Sequence, residues 1–118
     1  MRNQRPAPGV PTAVLSFVVP AHDEQQLLGQ TLAALHGAAR ALSVDYEIVV
    51  VDDSSTDRTA AIAAAGGARV VQVRHRQISR TRNAGAAAAH GNRLIFVDAD
   101  THVPGDTLRA TLQAWDDG

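Results

Sequence analysis

Four short apolar runs, evenly interleaved with helical patterns, restrict the fold of this chain more than any other feature. Ala13–Val19, Tyr46–Val51, Arg69–Val73 and Arg93–Val97 are nearly continuous in Val, Ile, Leu and Phe. That is the pattern of strands covered on both faces. Between the first two, Leu28, Leu32, Leu35, Ala39 and Leu42 recur at steps of three and four, giving one helix a single apolar stripe. A second helix is expected from about Thr56 to Ala65, with Ser55 or Thr56 as N-cap and Gly66-Gly67 as its stop. A third covers roughly Ser79 to His90, and Leu108, Leu112 and Trp115 mark a fourth. Strand–helix alternation at this spacing predicts an α/β fold, a parallel sheet with helices on both faces. Residues 1–12, with Pro6, Pro8, Gly9 and Pro11 and no periodicity, read as a disordered lead-in. Residues 13–118 are then one domain.

In open parallel sheets, ligands bind beyond the carboxyl ends of the strands. Polar clusters should therefore follow the apolar runs, and all four do. After the first comes Pro20-Ala21-His22-Asp23-Glu24, and after the second Asp52-Asp53-Ser54-Ser55-Thr56-Asp57. Arg74-His75-Arg76 follows the third and Asp98-Ala99-Asp100-Thr101-His102 the fourth. Helix capping accounts for Asp23, Ser55 and Asp57, but not for paired acids at two separate ends. Asp98 and Asp100 stand two apart in an extended segment and so project to one face. Two hard oxygen ligands there suit a divalent cation that keeps several waters and bridges phosphates.

Composition removes several chemistries. The net charge of −1 gives no basic excess for nucleic acid, and the absence of Cys removes disulfides, thiolate metal sites and cysteine nucleophiles. All eleven basic residues are Arg, so there is no P-loop lysine and no Schiff base. No apolar run approaches the roughly 20 residues of a membrane helix. Residues 69–93 hold Arg69, Arg74, Arg76, Arg80, Arg82 and Arg93 and no acid. Guanidinium forks suit phosphate oxygens, so acids facing this segment resemble a nucleotide-diphosphate site. For most of these arginines a solvated helix face is the better reading. Arg82, before Asn83-Ala84-Gly85 near a helix start, is the preferred exception.

Here the chain resembles the family 2 glycosyltransferases, which have the GT-A fold. Ser16–Glu24 is similar to their opening motif and Glu47–Asp57 to their second. Arg82-Asn83-Ala84-Gly85 and Phe96-Val97-Asp98-Ala99-Asp100 resemble the third and fourth. The match runs over about residues 13–115, in order and at the right spacing. It implies that Pro20, Ala21 and Glu24 line the nucleotide pocket and that Asp53 hydrogen-bonds the base. It also implies that Asp98 contacts ribose or metal, that Asp100 holds the metal bridging the diphosphate, and that Arg82 touches the diphosphate. Of Asp52 and Asp53, which face opposite ways, one should point at ligand and the other be structural. The implied reaction is metal-dependent sugar transfer from a UDP- or GDP-linked donor, with inversion, using Mn²⁺ or Mg²⁺.

The chain departs from the family in three respects. Asp23 replaces the commoner Asn and Ser54 the commoner Gly, both mild changes in turn chemistry. The third is length, since the family carries its catalytic base and acceptor pocket in a later half. The expectation is a donor-site half, incomplete at its C-terminal side and without an assignable base. A bare sheet edge would then invite self-association. His22, His75, His90 and His102 are read as loop or surface histidines. Two alternatives stand beside this reading: a non-catalytic or partner-completed nucleotide-sugar module, and a phosphatase of the haloacid dehalogenase type. The latter places its D-x-D on the first strand, whereas here it follows the fourth. The expected location is the cytoplasm, or the inner membrane face as a peripheral protein, since relatives commonly associate with membranes.

Overall fold

A computed structural model describes residues 14–100. Seven elements alternate: β1 Leu15–Ala21, α1 Leu28–Ala41, β2 Tyr46–Asp53, α2 Thr59–Ala65, β3 Arg69–Val73, α3 Ile78–Ala88 and β4 Arg93–Phe96. The expected lead-in at residues 1–12 and the helix around Leu108–Trp115 lie outside the described residues. The sheet is parallel throughout, in the order β3-β2-β1-β4. This is the α/β architecture that the alternation predicts.

Side-chain period sorts the core into two layers. Leu15, Phe17, Val19 and Ala21 of β1 join Ile48 and Val50 of β2 beneath Leu28, Leu32, Leu35 and Ala39 of α1 and Ala63 of α2. The intervening residues Val18, Val49 and Val51 face the other way, against Ala84 and Ala88 of α3. All seven β1 residues are buried, as are the last six of β2. Burying a side chain such as the fully enclosed Phe17 contributes about 1.5–3 kcal/mol. These two central strands therefore supply most of the core's driving force.

The third helix lies unusually close to the sheet because it presents small residues to it. A Cβ placed on Gly85 would stand 2.3 Å from Val18 Cγ1 and 2.8 Å from Val51 Cγ2. Both neighbours are stiff, β-branched and central to the sheet. The glycine of the Arg82–Gly85 motif is thus a packing requirement.

Boundaries shift by one to three residues, and three of the shifts bear on the site. The first two strands run to Ala21 and Asp53, each two residues further than the apolar runs suggest. The second helix begins at Thr59 rather than near Thr56. Its first turn is held by Asp57, which accepts from the Thr59 N–H at 2.9 Å. Ser55 and Thr56 are engaged elsewhere: the Ser55 hydroxyl accepts from the Asp23 N–H, and the Thr56 N–H donates to Asp23 Oδ1.

The strands' amino ends are tied by polar contacts. Glu47 Oε2 accepts from the buried Ser16 hydroxyl and the His90 N–H, both at 2.6 Å, while Arg69 Nη2 lies 3.2 Å from Oε1. The same guanidinium donates to the Ala88 carbonyl at 2.6 Å. Burial pushes the Glu47 carboxyl up, but the Ser16, His90 and Arg69 donors outweigh it and hold it below the usual range. His36 closes the other layer, donating from Nε2 to the Gly66 carbonyl and accepting the Tyr46 hydroxyl at Nδ1.

Gly85→Ala should lower the stability of the chain by about 1–3 kcal/mol. Urea unfolding measures this as a lower midpoint with an unchanged slope.

Candidate functional site

The β1–β4 ladder ends at the Val18–Phe96 pair, with one further bond from the Val97 N–H to the Val18 carbonyl. The next residue of β1 that faces β4 along the ladder is Pro20, which has no N–H to give. Beyond it the two strands part. The chain reverses its direction of travel across the sheet here, since β2 and β3 extend to one side of β1 and β4 returns to the other. Such a switch point is where parallel α/β sheets open a crevice. An open cleft of about 300 Å³ occupies it.

Residues from three strand ends and one helix line this cleft. The end of β1 contributes Pro20, Ala21, His22 and Glu24, and β2 contributes Asp53. Arg76, Gln77, Ile78 and Thr81 come from the β3–α3 connection and the first turn of α3, and Asp98, Ala99 and Asp100 follow β4. Six of the seven candidates, Pro20, Ala21, Glu24, Asp53, Asp98 and Asp100, thus meet in one place. Arg82 is not among the lining residues. One residue past Thr81 the helix has turned by about 100°, and the guanidinium lies 4.5 Å above the exposed ring of Phe96.

The two acids after β4 project together. Val97 and Ala99 are buried in the α1-side core, whereas Asp98 and Asp100 are exposed. The intervening turn is fixed by Thr31 of α1, whose buried hydroxyl donates to the Ala99 carbonyl at 2.6 Å. Among the described residues, no group of three or more His, Asp or Glu side chains is arranged to hold a metal ion. Two exposed carboxylates at a cleft mouth are still the donor set Mg²⁺ or Mn²⁺ accepts when water and phosphate complete the shell. The residues present fit such an ion.

Electrostatics point the same way. Four carboxylates and one guanidinium line the cleft. Partial burial pushes the Glu24 carboxyl up, and the nearby charges of Asp100 and Asp57 raise it further. Asp53 behaves oppositely. Burial would raise it, but the Arg76 N–H, the Thr81 and Ser54 hydroxyls and the His75 N–H hold its carboxyl far below the usual range. Asp52 faces away from the cleft, accepting from the Ser55 N–H and from Gln72 Nε2, each at 3.3 Å. Of the adjacent pair, Asp53 alone lines the cleft.

The loop after β1 is clipped to the loop after β2. Besides the Asp23 contacts, the Glu24 N–H donates to Thr59 Oγ1 at 2.9 Å and the Gln25 N–H to Asp57 Oδ2 at 3.3 Å. Asp23, Ser54 and Arg76, all at this end of the sheet, have positive φ angles of 50°, 62° and 48°. Each costs about 1–2 kcal/mol, so surrounding bonds must hold them.

The glycosyl transferase family 2 profile matches residues 16–118. The chain belongs to that family. This glycosyltransferase chain is 34% identical over 111 residues to the undecaprenyl-phosphate 4-deoxy-4-formamido-L-arabinose transferase of Edwardsiella ictaluri, covering 88% of itself and 34% of the relative. Staphylococcus aureus TarS 1-349 in complex with UDP-GlcNAc matches with TM-score 0.73 at 26% identity, over 87% of this chain and 31% of TarS 1-349. The mannosyltransferase PcManGT of Pyrobaculum calidifontis, in complex with GDP-Man and Mn²⁺, gives TM-score 0.73 at 25% identity, over 84% of this chain and 31% of PcManGT. The chain spans about one third of the length of these relatives. Its fold is the GT-A type that the motifs imply, and the phosphatase alternative gives way to this membership. Among the described residues, no helix is long and apolar enough to cross a membrane.

Sequence reasoning passed over four positions. His22, read as a loop histidine, lines the cleft and donates from Nδ1 to the Asp53 carbonyl at 2.8 Å. Arg76 is the single lining guanidinium among the described residues, a place expected for Arg82. Thr81 and Thr31 were unmarked, although each is a polar residue on the buried side of a helix, which is a readable signal.

Two outcomes follow from these contacts. Because Asp53 titrates lower when folded than its ordinary 3.8, the unfolded chain takes up the proton first as pH falls. Its contribution is complete above about pH 5 and drains away as pH drops through 3.8 toward the folded value. Urea titrations from pH 6 to 3 should show a steeper stability loss for wild type than for Asp53→Asn. Thr31→Val leaves the Ala99 carbonyl without its buried donor and should cost about 1–3 kcal/mol by the same assay.

Proposed function

We propose that this chain forms the donor site of a metal-dependent glycosyltransferase, which transfers a sugar from a nucleotide-diphosphate donor with inversion. The observation that carries the reading is the convergence of Pro20, Ala21, Glu24, Asp53, Asp98 and Asp100 on one cleft at the switch point. Family membership and the nucleotide-sugar complexes of TarS and PcManGT support it. Asp98 and Asp100 would hold the Mn²⁺ or Mg²⁺ ion. When bound, that ion supplies positive charge to a leaving diphosphate.

The chain's own residues account for the need. A diphosphate entering a cleft with four carboxylates and one guanidinium meets net repulsion. Asp98 and Asp100 are exposed at the mouth, free to share a cation with an incoming anion. Pro20 and Ala21 line the cleft from the parted strand, Glu24 is anchored through its own backbone to Thr59, and Asp53 joins them from the end of β2. Arg82, exposed on Phe96, is not among the lining residues. The acceptor and catalytic base have no candidate among the described residues of this chain.

Calorimetric titration with UDP and with GDP, each with and without Mn²⁺, tests the reading. Wild type should bind one of them only when Mn²⁺ is present, and Asp100→Ala should weaken that binding about ten-fold or more. Binding that ignores Mn²⁺ and survives Asp100→Ala would defeat the metal assignment. Absence of any binding by the folded chain would defeat the donor site.

A further inference from the structure

The two acids after β4 stand on a segment that the sheet does not hold. The ladder from β1 ends at Val18 and Phe96, and the Val97 N–H makes one further bond to the Val18 carbonyl. Past that point Ala99 is still buried, at 3% exposure, while Asp98 and Asp100 on either side are open. With Ala99 turned inward, its two neighbours turn outward together. The contact that seats it comes from α1, where the Thr31 hydroxyl donates to the Ala99 carbonyl at 2.6 Å. The Leu27 carbonyl of the same helix lies 3.3 Å from that hydroxyl. A hydroxyl has one proton to give, and the shorter contact takes it.

Thr31 is out of character with its surroundings. The other buried residues of α1 are Leu28, Leu32, Leu35 and Ala39, one apolar stripe facing the sheet. A valine would fill nearly the same space with no hydroxyl to satisfy. The polar group is the less favourable choice for the core, and what it bonds is the turn that carries the acids. The same end of α1 also serves the other side of the cleft. The Leu28 N–H donates to the Glu24 carbonyl at 3.0 Å, and Glu24 lines the cleft with Asp98 and Asp100. Burial, and then the nearby charge of Asp100, raise the Glu24 carboxyl. Carboxylates crowded in this way repel one another, so their backbone must be held if a cation is to use two of them.

We propose that Thr31 is a positioning residue for the cation: its hydroxyl pins the Ala99 carbonyl to α1 and keeps Asp98 and Asp100 aligned before any metal arrives. This inference rests on the donor-site reading above. A ligand pair fixed in advance loses little freedom when it closes on an ion. Released from Thr31, the two carboxylates spread, and the ion has to gather them. Metal affinity falls, and nucleotide affinity falls with it.

The test compares wild type with Thr31→Val, Thr31→Ala, Thr31→Ser and Ile48→Val. Ile48 is buried toward the end of β2 opposite Asp53 and controls for stability lost elsewhere. Electron paramagnetic resonance follows free Mn²⁺, alone and with UDP or GDP. The carbonyl carbon resonance of Ala99 is read on the metal-free chain, and urea unfolding checks that each variant is folded. Thr31→Val and Thr31→Ala should weaken Mn²⁺ about ten-fold or more and move the Ala99 resonance. Thr31→Ser keeps the donor and should retain wild-type values of both. Ile48→Val should also retain both, although it lowers the urea midpoint. Wild-type Mn²⁺ affinity in the folded Thr31→Val or Thr31→Ala variant would overturn the proposal. So would weaker Mn²⁺ with an unmoved Ala99 resonance, or an equal loss in Thr31→Ser or Ile48→Val. A wild type that binds no Mn²⁺ under any of these conditions overturns it too. If wild type binds Mn²⁺ but neither nucleotide, the donor-site reading falls, and the Mn²⁺ comparison still decides whether Thr31 serves a metal site.

Discussion

The parting of β1 from β4 beyond the Val18–Phe96 pair is the constraint on which the rest of the molecule turns. A parallel ladder continues as long as each strand offers donors and acceptors to the other. Pro20 withdraws a donor on the side facing β4. On its other side β1 stays paired with β2 as far as Ala21 and Asp52. One edge of the same strand is thus closed and the other open over the same few residues. The space between receives the chemistry-bearing groups, and no element had to be added to create it.

Keeping that space in shape is a polar task, handled by neighbouring loops. The Asp23–Glu24–Gln25 segment is bonded to Ser55, Thr56, Asp57 and Thr59, and the β3–α3 connection is bonded to Asp53. Thr31 reaches from α1 to the turn that carries Asp98 and Asp100. Each clip joins groups distant in sequence, so the loops are ordered only once the sheet has formed. The left-handed residues at Asp23, Ser54 and Arg76 fit that order. Strain of this kind persists where surrounding contacts over-determine the backbone.

Much of this was legible before any coordinates. The burial of β1 and β2 on both faces followed from their unbroken apolar runs. The paired acids at two strand ends located the cleft. The order of the strands was not legible, because alternation alone does not say that the fourth strand returns beside the first. The start of α2 was misplaced because Ser55 and Thr56 are good caps locally, yet Asp23 claims them from 32 and 33 residues away. Thr31 escaped notice because its partner is 68 residues distant. Arg76 and Arg82 could not be told apart by composition. Arg76 lines the cleft from the connection before α3, whereas the phase of α3 turns Arg82 onto Phe96.

Glu47 and its partners sit at the pole opposite the cleft, joining the beginnings of β1, β2 and β3 to the end of α3. This tie holds the strands at one pole, while the loops round the cleft are held by their own separate clips. Loop residues can then be exchanged while the strands and their Glu47 tie stay unchanged. Relatives about one-third identical to this chain can therefore share a frame and differ in what they hold.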